Sequence, residues 1–150
     1  MGGKSAVTQY GLLRNIFCGL TTHTSWAATA GTTAWWVGLM TADPTDSCST
    51  ANEGGYTAYT RVPTDRSTVG TSPFGWAVSS GTVATVAPIG NLDFPQVGTT
   101  TTGTFSFFAV YPSSVATSTQ GTYVGTISPV INWSQNVTPR LTTGSSITED

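Results

Sequence analysis

One run of residues restricts the folds open to this chain more than any other feature. Residues Ala34 to Thr41 read Ala-Trp-Trp-Val-Gly-Leu-Met-Thr. In a β-strand, successive side chains point to opposite faces of the sheet. One face would carry Trp35, Val37 and Leu39, and the other Trp36, Gly38 and Met40. Because both faces are apolar, the run predicts a central strand covered on both sides, with the first face inside the core.

The overall composition also favours β structure. The chain has 30 Thr, 16 Ser and 17 Gly among its 150 residues. Thr is stiff at χ1 and favours strands, whereas Gly and Ser favour turns. Only 8% of residues are charged, but 38% are hydrophobic and 11% aromatic, which is more apolar content than disordered chains carry.

Short segments of strand character follow the first run, separated by clusters of Pro, Gly or Ser. They are Tyr56–Val62, Trp76–Ser80, Val83–Ala87, Thr104–Tyr111, Gly121–Ile127 and Arg140–Thr143. Strands at this spacing, without helical periods between them, predict an all-β protein. We expect a single domain over residues 1–150, an antiparallel β-sandwich of jelly-roll type at about residues 34–148.

A short helix is predicted before the sandwich, at about residues 8–20. Its apolar positions form one stripe, with Arg14 and Asn15 off it: Leu12, Leu13, Ile16, Phe17 and Leu20. Ser5 or Thr8 is the expected N-cap. A helix this short needs a packing partner, so we expect this helix, or another subunit, to cover the Trp36 and Met40 face.

Residues suited to catalysis or metal binding are sparse. His23 is the single histidine, and no Gly-x-Ser-x-Gly motif accompanies it. Cys18 and Cys48 are too few for a structural zinc site, and they are either two reduced thiols or one disulfide. Asp43, Asp46 and Glu53 are close in sequence but lack the EF-hand pattern, so turn formation is the favoured role of the aspartates. We therefore predict neither an enzyme nor a metal or cofactor site.

The charge and hydropathy of the chain indicate whether it could bind nucleic acid or span a membrane. The formal net charge is -2, which offers no basic patch for nucleic acid. The apolar stretch from Tyr10 to Leu20 is interrupted by Arg14 and Asn15 and is too short to span a bilayer. We predict no direct contact with either.

The tryptophans allow one alternative from another functional class. Exposed indole rings stack on sugars, so Trp26, Trp76 and Trp133 would suit a carbohydrate-binding module. The competing interpretation places these rings in the core or in protein interfaces.

Several motifs occur in an order typical of a known group of proteins. A helical stripe leads to a strand that ends in a Thr-x-x-Pro loop. Next come an acidic residue with a Gly-Gly-Tyr corner, an arginine, a Phe-Pro element, an aromatic strand and a hairpin. The matching segments are Leu12–Leu20, Trp36–Asp46, Glu53–Tyr56, Arg61, Leu92–Pro95, Phe105–Tyr111 and Tyr123–Ile127. Their succession, from about residue 8 to 148, resembles a family of small phage virion proteins often labelled tail fibre protein.

The resemblance implies a structural role in a virion. A globular β-domain without a repetitive shaft is more similar to jelly-roll cement proteins, which decorate capsids, than to a fibre. We therefore expect a capsid decoration protein on the virion surface that binds the major capsid protein. A tail or tail-fibre component is the alternative.

Self-association is expected as well, because arginine and aromatic residues favour interfaces and strand edges need cover. By analogy with cement proteins, we expect a homo-oligomer, specifically a trimer. The candidate interface residues are Lys4, Arg14, Trp36, Met40 and Arg140.

Overall fold

The computed structural model of the protein describes residues 6–18, 34–45, 49–65, 75–112, 114 and 122–149. Over these residues the chain forms one α-helix, α1 (Ala6–Cys18), and nine β-strands. The strands are β1 (Ala34–Met40), β2 (Val62–Asp65), β3 (Trp76–Ser79), β4 (Ala84–Pro88), β5 (Leu92–Asp93), β6 (Gly103–Tyr111), β7 (Tyr123–Trp133), β8 (Arg140–Leu141) and β9 (Ile147–Glu149).

The strands form two packed sheets and a small ribbon. One sheet has the order β2-β1-β6-β7, the other β3-β4-β9, and the ribbon pairs β5 with β8. All of these pairings are antiparallel. Trp76 of β3 stacks on Phe108 of β6, with ring centroids 6.4 Å apart, which joins the two sheets through the core. The predicted fold class, an antiparallel β-sandwich with a short N-terminal helix, is therefore confirmed.

The two sheets are also tied together at their margins. Thr126 of β7 exchanges two backbone hydrogen bonds with Ser146, just before β9, at N···O distances of 3.2 and 3.4 Å. Elsewhere, the indole N–H of Trp76 donates to the hydroxyl of Thr64 in β2, at 3.0 Å. The edge of β7 at Thr126 is thus paired within the chain, which removes one of the open edges expected to need a neighbouring subunit.

The first strand has the predicted central position. It pairs with β2 on one side and β6 on the other. Val37 and Leu39 are fully buried and Trp35 is 8% exposed, all within the main core cluster. The indole N–H of Trp35 also donates to the carbonyl of Ile16 in α1, at 3.0 Å. The prediction that this face lies inside the sandwich is confirmed.

The helix begins two residues earlier than predicted, at Ala6, so Thr8 lies inside it and is not its cap. Leu13 and Phe17 are fully buried, as the apolar stripe predicts. Asn15 is buried too, contrary to the prediction, and so is Gln9, whose Oε1 accepts a hydrogen bond from the Ala84 N–H at 3.4 Å. Hydrophobicity alone did not identify these two polar residues as buried.

The prediction that α1 covers the Trp36 and Met40 face is wrong, whereas the alternative that another subunit covers it stays a prediction. The centroid of the Phe17 ring instead lies 5.0 to 6.2 Å from the ring centroids of three residues in the two sheets, Trp35, Trp76 and Tyr123. The helix therefore packs on the core side of the sandwich, and it packs mainly against β3 and β4.

Most predicted strands are present within a few residues, but three differences matter. Residues 56–58 form a bend and a turn and residues 59–61 have no regular structure, so the predicted strand Tyr56–Val62 is wrong and β2 begins only at Val62. Strand β7 continues to Trp133, well beyond the predicted end at Ile127. The short strands β5 and β9 were not predicted.

Candidate functional site

A connected cluster of polar side chains lies against the Trp36 and Met40 face of the four-stranded sheet. Its centre is an ion pair between Glu53 and Arg61. Arg61 donates through Nε to Oε1 and through Nη2 to Oε2, both at 2.7 Å. The side chains of Arg61 and Glu53 are only 1% and 3% exposed. The pair is thus held away from water in bidentate geometry, the strong form of this interaction.

The position of Glu53 depends on glycines in two segments. Gly54 and Gly55 have φ values of 77° and 143°, a region that favours glycine, and they turn the chain after Glu53. Gly54 N–H also donates to the carbonyl of Leu39 at 3.0 Å. On β1, a Cβ at Gly38 would lie 2.5 Å from Glu53 Oε1. The missing side chain at Gly38 therefore makes the space that the carboxylate occupies.

A tyrosine connects the ion pair to the edge of β1. The hydroxyl of Tyr59 accepts the backbone N–H of Leu39 at 2.8 Å and donates to Glu53 Oε1 at 3.1 Å. Burial, followed by the neighbouring Glu53 carboxylate, raises the pKa of Tyr59 well above its ordinary value. Tyr59 is therefore a neutral donor across the physiological pH range.

The arginine of the pair also contacts an aromatic ring. Arg61 Cζ lies 3.4 Å from the ring centroid of Tyr111, a cation–π arrangement. Burial lowers the pKa of Arg61, but the hydrogen bonds and charge of Glu53 outweigh it, so the pKa lies above its ordinary value. Tyr111 in turn packs with Met40 and Ala109, all three fully buried.

This cluster, which we call the anchor (Glu53, Tyr59, Arg61 and Tyr111), is suited to holding a loop rather than to chemistry. Both Glu53 oxygens accept hydrogen bonds from Arg61, which leaves the carboxylate poorly placed to bind Ca²⁺. Asp43 has the predicted turn-forming role, since its Oδ1 accepts the Thr45 N–H at 2.8 Å. No group of three or more metal-binding side chains occurs in the part of the chain that the structure describes.

The predicted interface residues lie in three different places. Trp36 is half-buried and packs on the cluster that contains Met40. Met40 itself is fully buried on the same face. Arg14 is half-buried on α1, with its Cζ 5.3 Å from the Tyr10 ring centroid. Arg140 is exposed on β8, and Lys4 lies outside the described residues. Only Trp36 and Met40 are brought together.

Arg140 forms a second bidentate ion pair, with Asp93 directly opposite it on β5. Its Nε and Nη2 donate to Oδ1 and Oδ2 at 2.5 and 2.9 Å. The hydrogen bonds from Arg140 lower the pKa of Asp93, and Asp93 raises the pKa of Arg140. The side chains of Arg140 and Asp93 are 54% and 49% exposed, so water and salt weaken the pair.

An open groove lies where β7 meets the segment before β9. Its volume is about 230 Å³. It is lined by Asp43, Phe107, Val124, Gly125, Thr126, Ser146 and Thr148. One carboxylate, two apolar side chains and several hydroxyls therefore share one concave surface. Sequence reasoning did not find this groove, because its lining comes from four separate segments.

Two of the three tryptophans considered for sugar binding are in the core. Trp76 is fully buried, and Trp133 is 5% exposed and packs on Tyr56 and Phe105. Neither offers a ring face to a carbohydrate, and Trp26 lies outside the described residues. The interpretation of Trp76 and Trp133 as core residues is confirmed.

Cys18 is buried, and its Sγ donates a hydrogen bond to the Trp76 carbonyl oxygen at 3.4 Å. Cys48 and His23 are outside the described residues. In the portion of the chain that is described, the helix is neither long nor apolar enough to cross a membrane.

Sequence analysis also missed the anchor. Glu53 and Arg61 both belong to the motifs described there, but their pairing was not predicted. An acidic and a basic residue eight positions apart, in a chain with so few charges, was the available signal. Comparison of the sequence with models of protein families and with curated proteins found no match.

Proposed function

We propose that the protein is a structural component of a phage particle, and that it acts as a capsid decoration protein by binding the shell rather than by catalysis. The observation that carries this proposal is the ordered succession of motifs from about residue 8 to 148, with its resemblance to small virion proteins. Several of these motifs fall on β1, the anchor and β5 to β7.

The internal ties of the fold support a structural role. The sandwich is tied between its sheets at Thr126 and Ser146 and at Trp76 and Thr64. The anchor fixes residues 53–61 to β1 through a buried ion pair. Such ties hold the surface in one shape, and a preformed surface loses less conformational entropy on binding.

The surface composition supports binding over a broad area. Only 8% of the residues are charged, so few strongly hydrated groups must lose water when a partner docks. The partners we propose are the major capsid protein and further copies of this chain.

A copy count on purified particles tests this function. Quantitative mass spectrometry should find the protein in near-stoichiometric ratio to the major capsid protein, and cryo-electron microscopy should show matching density on the head. A handful of copies per particle would place the protein on the tail instead. Absence from the particle would refute a virion role.

Binding can be tested separately. Purified protein should rebind to particles that lack it and raise the temperature at which their heads open. A glycan array provides the contrasting test, because specific sugar binding without binding to heads would favour the carbohydrate-binding alternative.

A further inference from the structure

One side of α1 leads from the core, against which Tyr10 packs, out to the surface. Val7, Tyr10 and Arg14 are spaced i, i+3 and i+7, so they lie along one side of the helix. Val7 is 81% exposed, and Tyr10 and Arg14 are half-buried. We call these three residues the helix face. An exposed valine beside an aromatic ring and a cation is a typical composition for a contact surface.

Arg14 is the least satisfied of the described arginines. Its Nε is buried without a hydrogen-bond partner. Arg61 and Arg140 both give Nε and Nη2 to a carboxylate. A buried N–H without an acceptor is unfavourable, and a charge-assisted bond to a carboxylate would remove that cost. To form it, the side chain would turn away from the Tyr10 ring.

The groove offers the matching group. Asp43 lies in its lining and is exposed, and its Oδ1 accepts only the Thr45 N–H. Within the described residues, Asp43 has no ion-pair partner. Phe107 and Val124 beside it are half-buried apolar side chains. A carboxylate next to an apolar floor complements a cation next to Tyr10 and Val7.

We propose that the helix face of one copy docks in the groove of a second copy, with Arg14 paired to Asp43 across the contact. Charge complementarity identifies the occupant, because Arg14 and Asp43 are a cation and an anion that each lack an ion pair within the described chain. This inference rests on the proposed function insofar as that function includes self-association.

The geometry of the contact has a consequence for assembly. The two surfaces are different patches, so the contact is heterologous and joins copies head to tail. Each copy then uses one helix face and offers one groove. Such a contact yields a closed ring if the rotation between copies closes, and an open filament if it does not.

Sedimentation equilibrium of the full chain tests the contact with a charge swap. Arg14→Glu and Asp43→Arg should each weaken association at least tenfold, because each places like charges across the contact. The double variant, and an equimolar mixture of the two single variants, should recover association. Val130→Asp, which introduces a charge at a residue of β7 that is 50% exposed and lies outside the groove lining, should associate like the wild type and serves as the control.

A second variant protects the test against misfolding. Val7→Asp alters a residue that is 81% exposed, so it should weaken association without changing the thermal unfolding of the single chain. Circular dichroism confirms that each variant is folded. A wild type that stays monomeric at all concentrations, or single variants that associate normally, would overturn the inference.

The same data separate this inference from the proposed function. A monomeric protein that is nonetheless abundant on capsids would refute the head-to-tail contact alone. A protein that associates through Arg14 and Asp43 but is absent from particles would refute the decoration role alone.

Discussion

Two bidentate ion pairs among the described residues have the same geometry and opposite surroundings. In both, an arginine donates through Nε and Nη2 to the two oxygens of a carboxylate. The Glu53–Arg61 pair is almost completely buried, whereas about half of each side chain of the Asp93–Arg140 pair is exposed. The first pair spans eight residues of sequence, and the second spans 47.

The comparison shows that burial, rather than hydrogen-bond geometry, decides what such a pair contributes. Removing one member of a buried pair leaves a charge without solvent or partner, which is strongly destabilising. Removing one member of an exposed pair leaves a charge that water solvates. The anchor also includes Tyr59 and Tyr111, so its loss would affect the packing of β1 and β6.

The largest effect is expected from Glu53→Gln. The substitution keeps the shape of the side chain but leaves Arg61 buried and charged, and we expect it to lower the free energy of unfolding by about 3–5 kcal/mol. Urea unfolding followed by tryptophan fluorescence measures the change. The matched control is Asp93→Asn, which makes the same replacement of a carboxylate in the exposed pair. Equal effects of the two substitutions would contradict the distinction between the pairs.

A smaller effect is expected from Gly38→Ala, which changes the residue of β1 that faces the Glu53 carboxylate. The added Cβ would lie 2.5 Å from Glu53 Oε1, so the carboxylate must shift away from Arg61. Overpacking of this kind costs about 2–3 kcal/mol. At Gly98, by contrast, an added Cβ meets no atom within 4 Å, so Gly98→Ala is the control. Similar stabilities of the two variants would show that the space at Gly38 is not needed.

Removing the Tyr59 hydroxyl should cost less, about 1–2 kcal/mol, because Tyr59→Phe leaves the Leu39 N–H and Glu53 each short of one hydrogen bond. The clearest difference between Tyr59→Phe and the wild type is expected in how their free energies of unfolding depend on pH. Burial raises the pKa of Tyr59 far above its ordinary value and that of Tyr56 to about 12.

The sign of this dependence follows from proton binding. Above pH 10 the unfolded chain loses tyrosine protons that the folded chain keeps, so the wild type loses stability as the pH rises. Tyr59→Phe removes one of these groups, and its stability should fall less steeply above pH 10. Equal slopes for the two proteins in alkaline urea titrations would rule out a buried, protonated Tyr59.

The smallest effect is expected from Asp93→Asn, with a melting temperature close to that of the wild type. Arg140 lowers the pKa of Asp93, so the contribution of the pair is present above the unfolded-state pKa of aspartate and is lost as the pH falls below it. Any difference in melting temperature between Asp93→Asn and the wild type at neutral pH should vanish at high salt, where exposed charges are screened. Calorimetry at low and high salt measures this, and a large difference that persists in salt would contradict the exposed state of the pair.

The elements that could be predicted from sequence are those whose pattern is local. Alternation over Ala34–Met40 correctly placed Trp35, Val37 and Leu39 inside, because strand geometry alone decides which side chains share a face. The stripe on α1 likewise identified Leu13 and Phe17 as buried. It did not identify the surface that the helix covers, since that choice depends on β3 and β4, far away in the sequence.

The anchor could not be predicted because tertiary contacts override strand propensity there. Residues 56–62 are rich in Tyr, Thr and Val, which favour strands. In the fold, Tyr59 and Arg61 instead find their partners in Glu53 and Leu39, and the Tyr59 N–H closes a turn on the Tyr56 carbonyl at 3.1 Å. The groove was inaccessible to sequence reasoning for a related reason, since it exists only once β6, β7 and the residues before β9 have assembled.

The neighbours of β4 have a consequence for how the chain completes its fold. This strand pairs with β3, close in sequence, and with β9 at the far end of the described chain, while Gln9 of α1 bonds to its first residue, Ala84. The two ends of the described chain therefore meet on a strand from its middle. During synthesis on a ribosome, β4 must wait for β9 before its second edge is paired, because β9 lies far downstream of β4 in the chain. Because the paired residues of β4 and β9 are far apart in sequence, this long-range closure slows folding.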